Sequence, residues 1–299
     1  MIDQTISLEQ RMPAAMLVPM SGLWVGSVAD AEMALALQWA GEQLALQQVA
    51  CCEEALQQTA GADGPQTPAA VSEPAAPPSL ILLPMSWSGE VTRQMLIRLA
   101  RCWPLAVLVV VVGSGVDGWR RRGPSLPGAV PVPWYELPGR LQMWSEQRTA
   151  GRVGGLGTPV TSRREDRLLA RVADFLRWRK PVLQTAVAAE SRLLCEGLEL
   201  LAVAAGTRVM SRTIGKPSPN VEGDLLLWDA GDVGVEEINH VRTLHHTHPL
   251  RPILLLESFP RGHTAEAVHD AGGSHLLGRL IEADLLAATM QWCLQPRLG

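Results

Sequence analysis

The sequence predicts an α/β protein made of two doubly wound halves in tandem, each a five-stranded parallel sheet with helices on both faces. Three observations predict it. Residues 105–112 form an unbroken aliphatic run with β-branched bias, the pattern of a strand buried on both faces of a parallel sheet. The stretch Gly223-Asp224-Leu225-Leu226-Leu227-Trp228-Asp229-Ala230-Gly231-Asp232 describes a short buried strand that delivers one carboxylate to a loop at its C-terminal end, where open α/β sheets place their ligands. Short apolar strands alternate with amphipathic helical stretches, and the same order of elements occurs twice, as an internal duplication would leave it.

In the first half, residues 1–20 have no clear period and are expected to form an arm or an edge strand. Residues 23–28 read as the first strand, and Asp30 then caps a helix to about residue 46, with Met33, Leu37, Ala40 and Leu44 at three- and four-residue spacings. A short second strand at 46–50 and a helical fragment at 53–59 follow. From 61 to 79 the chain is Ala, Pro, Gly, Ser and Thr with almost no large apolar residue, a surface insertion. A strand at 80–83, a helix at 90–102 and the central strand at 105–112 come next. Three consecutive arginines amid Gly and Pro rule out a full helix over 113–128. A last strand at 129–133 and a closing helix at 137–147, with Pro138 in its first turn, complete a domain over residues 20–147.

Residues 148–180 read as a Gly-rich linker followed by an amphipathic helix, 162–180, whose Leu168, Leu169, Val172, Phe175 and Leu176 share one face. The second domain spans 181–294. Its strands are expected at 182–187, 207–210, 225–228, 253–256 and 275–277, and its helices at 191–204, 235–247, 264–271 and 281–294.

Composition narrows the function. A net charge of -4 gives no global case for nucleic acid or an anionic membrane. No apolar run approaches the roughly 18 residues of a spanning helix, and Met1-Ile2-Asp3-Gln4 lacks the regions of a signal peptide, so a cytoplasmic protein without membrane insertion is expected. Five cysteines without a C-x-x-C pair indicate neither a disulfide framework nor a zinc site, and all five are expected as buried thiols.

The second half resembles the receiver domain of two-component response regulators. Asp229 ends its strand with Gly231 just beyond, Ala271-Gly272-Gly273-Ser274-His275 precedes the fifth strand, and Arg251-Pro252-Ile253 opens the fourth. The first half is similar in order, with weaker local motifs. The resemblance implies a flavodoxin-like fold in both halves. It also implies a site in which an acidic pair after the first strand and a phosphoacceptor Asp hold Mg²⁺, a Ser or Thr ends the fourth strand and a Lys ends the fifth. Three carboxylates concentrate enough charge for magnesium, and metal and lysine screen the incoming phosphoryl group.

This chain departs from that pattern. The acidic pair falls on Ala189 and Glu190, Asp229 takes the acceptor position, Glu257 the hydroxyl position with Ser258 next to it, and Arg279 the lysine position. Glu257 places negative charge beside a group that must become more negative. Arg279 is expected to pair bidentately with Asp229 or Glu257, since a guanidinium holds a carboxylate persistently. In the first half Gly26 and Ser27, Pro84 and Gly113 stand at the site positions, and the fifth strand ends at Pro133-Trp134. Lys180 and Lys216 are the only lysines, and neither ends a fifth strand.

Other motifs carry weaker signals. Gly113-Ser114-Gly115-Val116-Asp117-Gly118 matches a dinucleotide fingerprint in letters, but arginines and prolines follow where a helix must open. His245-His246-Thr247-His248, with His240 upstream, has no adjoining Cys or carboxylate cluster to make a metal site. Trp119, Arg120, Arg121, Arg122, Trp134 and Tyr135 lie near the end of the first sheet, in the region receiver domains use for partners, and exposed aromatics with arginine suit an interface. The expectation is therefore a non-catalytic signalling adaptor or scaffold of two pseudo-receiver domains, with no cofactor and no metal. Its partners are expected to be proteins of a signalling pathway, a second copy of the chain among them. The alternatives are a response regulator phosphorylated at Asp229 with Glu190 alone, and a nucleotide-binding α/β enzyme.

Overall fold

A computed structural model describes residues 20–28, 30–60, 77–87, 89–116, 126, 128–149, 183–279 and 281–295. The first half runs β1 (Met20–Val25), α1 (Ala31–Gln43), β2 (Leu44–Val49), α2 (Cys52–Ala60), β3 (Leu80–Met85), α3 (Arg93–Cys102), β4 (Val107–Val112), β5 (Ala129–Pro133) and α4 (Leu137–Thr149). The second runs β6 (Gln184–Ala189), α5 (Arg192–Ala204), β7 (Arg208–Ile214), β8 (Leu225–Gly231), α6 (Val235–Thr247), β9 (Ile253–Glu257), α7 (Gly262–Asp270), β10 (His275–Gly278) and α8 (Ala283–Leu294). The sheet orders are β2-β1-β3-β4-β5 and β10-β9-β8-β6-β7, all pairs parallel. Both are the 2-1-3-4-5 order, so the two halves are flavodoxin-like folds in tandem.

Side-chain caps mark three helix starts. Asp30, Thr92 and Ser191 sit in extended backbone, and their side-chain oxygens accept the N–H groups of Met33, Met95 and Leu194 at 2.9, 3.2 and 3.3 Å. Each such cap is worth about 1 kcal/mol. β3 and most of β4 are inaccessible to solvent, as unbroken aliphatic runs under helices on both faces require. Several strands outrun the expectation, β7 and β8 furthest. β8 continues past Trp228 because Asp229 and Gly231 still pair with β9, and β7 extends to Ile214 beyond a register shift opposite Thr185 and Ala186.

The two sheets exchange no strand, yet their cores are continuous. One apolar cluster runs from Trp24, Met33 and Trp39 of the first half through Trp134, Leu141 and Trp144 to Leu276, Ala288 and Trp292 of the second. At the seam Trp39 stacks on Trp134, with centroids 5.9 Å apart, and meets the edges of His275 at 4.8 Å and Trp292 at 6.1 Å. His275 is buried, and its Nε2 lies 2.7 Å from the Tyr135 carbonyl, so that nitrogen carries the proton and donates it across the seam. α4 lies along α8, and around this contact Arg140 bridges Glu136 and Glu282 at 3.1 and 3.4 Å while Gln295 donates to Gln142 at 3.1 Å.

These contacts correct the partner surface read from the sequence. Trp134 is fully buried and Tyr135 nearly so, because the second half covers the end of β5. Trp119, Arg120, Arg121 and Arg122 lie outside the described residues, as do most of the 61–79 insertion and the whole 162–180 helix. Cys51 and Cys102 are exposed, against the expectation of five buried thiols, because each sits at a helix end facing water. Among the described residues no helix is long and apolar enough to cross a membrane.

The seam is close-packed at Gly139, where a Cβ would run into Thr289 Oγ1 and come within 2.8 Å of Leu285 Cδ1. Gly139→Val should push α4 from α8 and destabilise the protein by about 3 kcal/mol, an overpacking cost. Urea unfolding would read it as a lowered midpoint with an unchanged slope.

Candidate functional site

The carboxyl ends of β6, β8, β9 and β10 converge on one side of the second sheet, and each contributes to a single cluster. Ala189, last in β6, pairs in register with Asp229 of β8. Asp229 is buried, and its Oδ1 accepts two hydrogen bonds, from the Gly231 N–H at 3.2 Å and from Arg279 Nε at 2.8 Å. Arg279, which follows β10, splits its guanidinium, giving Nη1 to Ser258 Oγ at 3.2 Å. Its backbone N–H donates to the Glu257 carbonyl at 3.0 Å and so fixes where the side chain starts.

Gly231 makes the arrangement possible. Its φ of +75° suits glycine, and a Cβ there would lie 3.2 Å from Arg279 Nη2 and 3.8 Å from Glu190 Oε2. The turn it allows also lets Gly231 O accept the Ser258 N–H at 2.9 Å. The irregular register between Asp229 and Gly231 decides which residue of β9 faces the site. Ser258, and not Glu257, brings a hydroxyl to Arg279. Glu257 turns to the next loop, where its Oε1 accepts the Val233 N–H at 3.3 Å and its buried Oε2 has no hydrogen-bond partner. Burial pushes the Glu257 carboxyl above its usual range, and the charge of Asp232 adds to the shift, while the Val233 N–H and Arg261 oppose it.

All five residues singled out from the sequence thus lie around one strand end. Asp229, Arg279 and Ser258 form one hydrogen-bonded chain, Glu190 is exposed beside Gly231, and Glu257 is adjacent but aimed elsewhere. The bidentate pair expected for Arg279 is replaced by a fork that holds Asp229 with one arm and Ser258 with another. Among the described residues no group of three or more His, Cys, Asp or Glu is placed to hold a metal ion. His240 instead bonds the Pro217 carbonyl at 2.7 Å and meets the Trp228 ring edge-on.

The matching corner of the first half carries a contact the sequence did not signal. Glu32, in the first turn of α1, accepts the Ser114 N–H through Oε2 at 2.6 Å and the Gly262 N–H, at the start of α7, through Oε1 at 3.2 Å. Ser114 Oγ donates to the Pro260 carbonyl at 2.6 Å and accepts Trp134 Nε1 at 3.1 Å. The fingerprint-like Gly113–Val116 segment is thus a short 3-10 turn whose Ser114 N–H already serves a carboxylate. A phosphate there would meet negative charge. An acidic residue early in a helix normally reads as a dipole partner of its own helix, so no sequence signal marked Glu32 as a bridge.

Fold and site together define a pair of flavodoxin-like α/β domains, the second with a buried strand-end carboxylate held by arginine. Similar solved structures are a protein described as pilus assembly-related from Burkholderia pseudomallei (22% identity, 40% of this chain and 97% of that one, TM-score 0.36) and a response regulator from Thermotoga maritima (17%, 38% and 98%, 0.32). A pilus assembly protein from Burkholderia thailandensis is similar at 21% identity over 38% of this chain and 98% of its own (TM-score 0.34). No family model and no curated protein matches the chain.

The buried Glu257 makes a pH prediction. A carboxyl whose folded pKa is raised supports the fold fully below its unfolded value, near the ordinary 4.5, and that support is lost as pH rises through the raised value. Glu257→Gln should therefore be more stable than wild type at neutral pH, with the gap closing below about pH 4.5. Denaturant midpoints measured across pH 4 to 8 check this; a gap constant with pH would place the effect elsewhere.

Proposed function

We propose that the chain is a non-catalytic signalling adaptor or scaffold of the cytoplasm, two pseudo-receiver domains that act through protein contacts and need no cofactor. The observation that carries the reading is the Arg279–Asp229 pair. Phosphoryl transfer to Asp229 would require a carboxylate open to the donor, a metal on several acidic ligands and a cation free to meet the phosphoryl oxygens. Here the cation is committed to Asp229 and Ser258, and Ala189 offers the metal nothing. Losing one electrostatic partner of such a transition state typically costs about 3 kcal/mol. In the first half Pro84 replaces the carboxylate altogether.

Incubation with Mg²⁺ and acetyl phosphate, followed by intact-mass measurement, should give no phosphoryl adduct. An adduct in wild type that disappears in Asp229→Ala would make the chain a working receiver. Arg279→Ala leaves a buried carboxylate unpaired and should cost about 2–3 kcal/mol of stability, read by chemical denaturation, without abolishing partner binding.

The partner contact we propose on the first half is Trp119 with Arg120, Arg121 and Arg122. Replacing the three arginines by Ala should weaken co-purification of the partner from the native cell and leave the melting curve within about 0.5 kcal/mol of wild type. Unchanged co-purification removes that contact.

A further inference from the structure

The duplication sets two copies of one helix side by side for comparison. α1 and α5 each have 13 residues and start at equivalent caps, Asp30 and Ser191. Counting from the caps, Glu32, Ala36 and Trp39 of α1 correspond to Leu193, Gly197 and Leu200 of α5. In the first half that face lies in the seam: Glu32 takes the Gly262 N–H, Ala36 is fully buried, and Trp39 packs on His275 and Trp292. In the second half it faces water. Leu193 is 79% exposed, Leu200 71% and Val203 53%, and a Cβ on Gly197 would meet nothing within 4 Å. An apolar stripe of this kind on a surface helix marks a contact surface.

What covers α1 cannot cover α5. The β10 edge with α7 and α8 is already packed on the first half, and α4 is packed on α8. Among the described residues no such surface is left on a second copy. The stripe is, however, complementary to itself. About a two-fold axis between Leu198 and Glu199, antiparallel packing sets Leu200 opposite Gly197 and Leu193 opposite Ala204, a large residue facing a small one in both directions. That reciprocity is what an isologous dimer requires. The charged residues beside the stripe are already neutralised within each copy, Arg192 by Glu196 at 2.8 Å and Glu199 by Arg212, so pairing forces no like charges together.

We propose that α5 is a homodimer interface, two copies packing antiparallel through Leu193, Gly197, Leu200 and Val203. The interface goes beyond the adaptor reading and stands whether or not Asp229 is ever phosphorylated. The test is sedimentation velocity on the full chain from micromolar to several hundred micromolar concentration. A concentration-dependent dimer is expected. Leu200→Glu should raise its dissociation constant about thirtyfold or more, the effect of losing a central interface anchor. Gly197→Leu separates interface from fold: its new side chain enters open space in the monomer and improves helix propensity, yet it fills the hole that receives Leu200. Melting should therefore be unharmed while dimerisation is lost. A chain that stays monomeric throughout leaves the stripe to another protein or to none, and a dimer that survives both substitutions has its interface elsewhere; either result overturns the proposal.

Discussion

The seam between the two halves leans on the burial of Trp39. Its large ring cannot be covered by its own half alone. Trp134 stacks on one side of it, and His275 and Trp292 close the rest from the other half. Aromatic burial of this size dominates packing energetics, and it sets the relative position of the halves. Polar groups then follow suit. His275 finds its acceptor in the Tyr135 carbonyl, and the Glu32 carboxylate satisfies donors from both halves at once. The shared core makes the tandem a single packed unit.

The seam also reaches the candidate site through a short piece of chain. The loop that follows β9 is held at Ser258 by Arg279, which in turn holds Asp229. A few residues on, Pro260 and Gly262 are held by Ser114 and Glu32 of the first half. Both ends of the loop are therefore clamped, one within its own half and one from across the seam. A segment so fixed has little freedom to move independently of the seam.

Much of this was legible in the sequence, because the fold rests on periodicity and capping. Aliphatic runs such as that ending at Val112 can only be covered strands, and Asp30 and Ser191 announce their helices. Asp229, Arg279 and Ser258 were readable as a group because strand ends in this fold converge. Three things were not readable. The direction of Glu257 depends on an irregular register that no residue type signals. The burial of Trp134 and Tyr135 depends on what the other half covers, and a solvent-facing aromatic has the same letter as a seam aromatic. Glu32 bridges residues far apart in sequence, and local pattern carries no information about that distance.

The end of β5 and the helix beyond it form the surface that the resemblance assigns to partners, and here it is taken by the chain's own second half. The two halves are joined covalently by residues 150–182. A contact between two parts of one chain does not depend on protein concentration, because each part is always present with the other. A separate protein seeking the same surface would have to displace the second half first. Dilution therefore leaves the seam closed, and Trp134 and Tyr135 stay covered at any concentration of the chain.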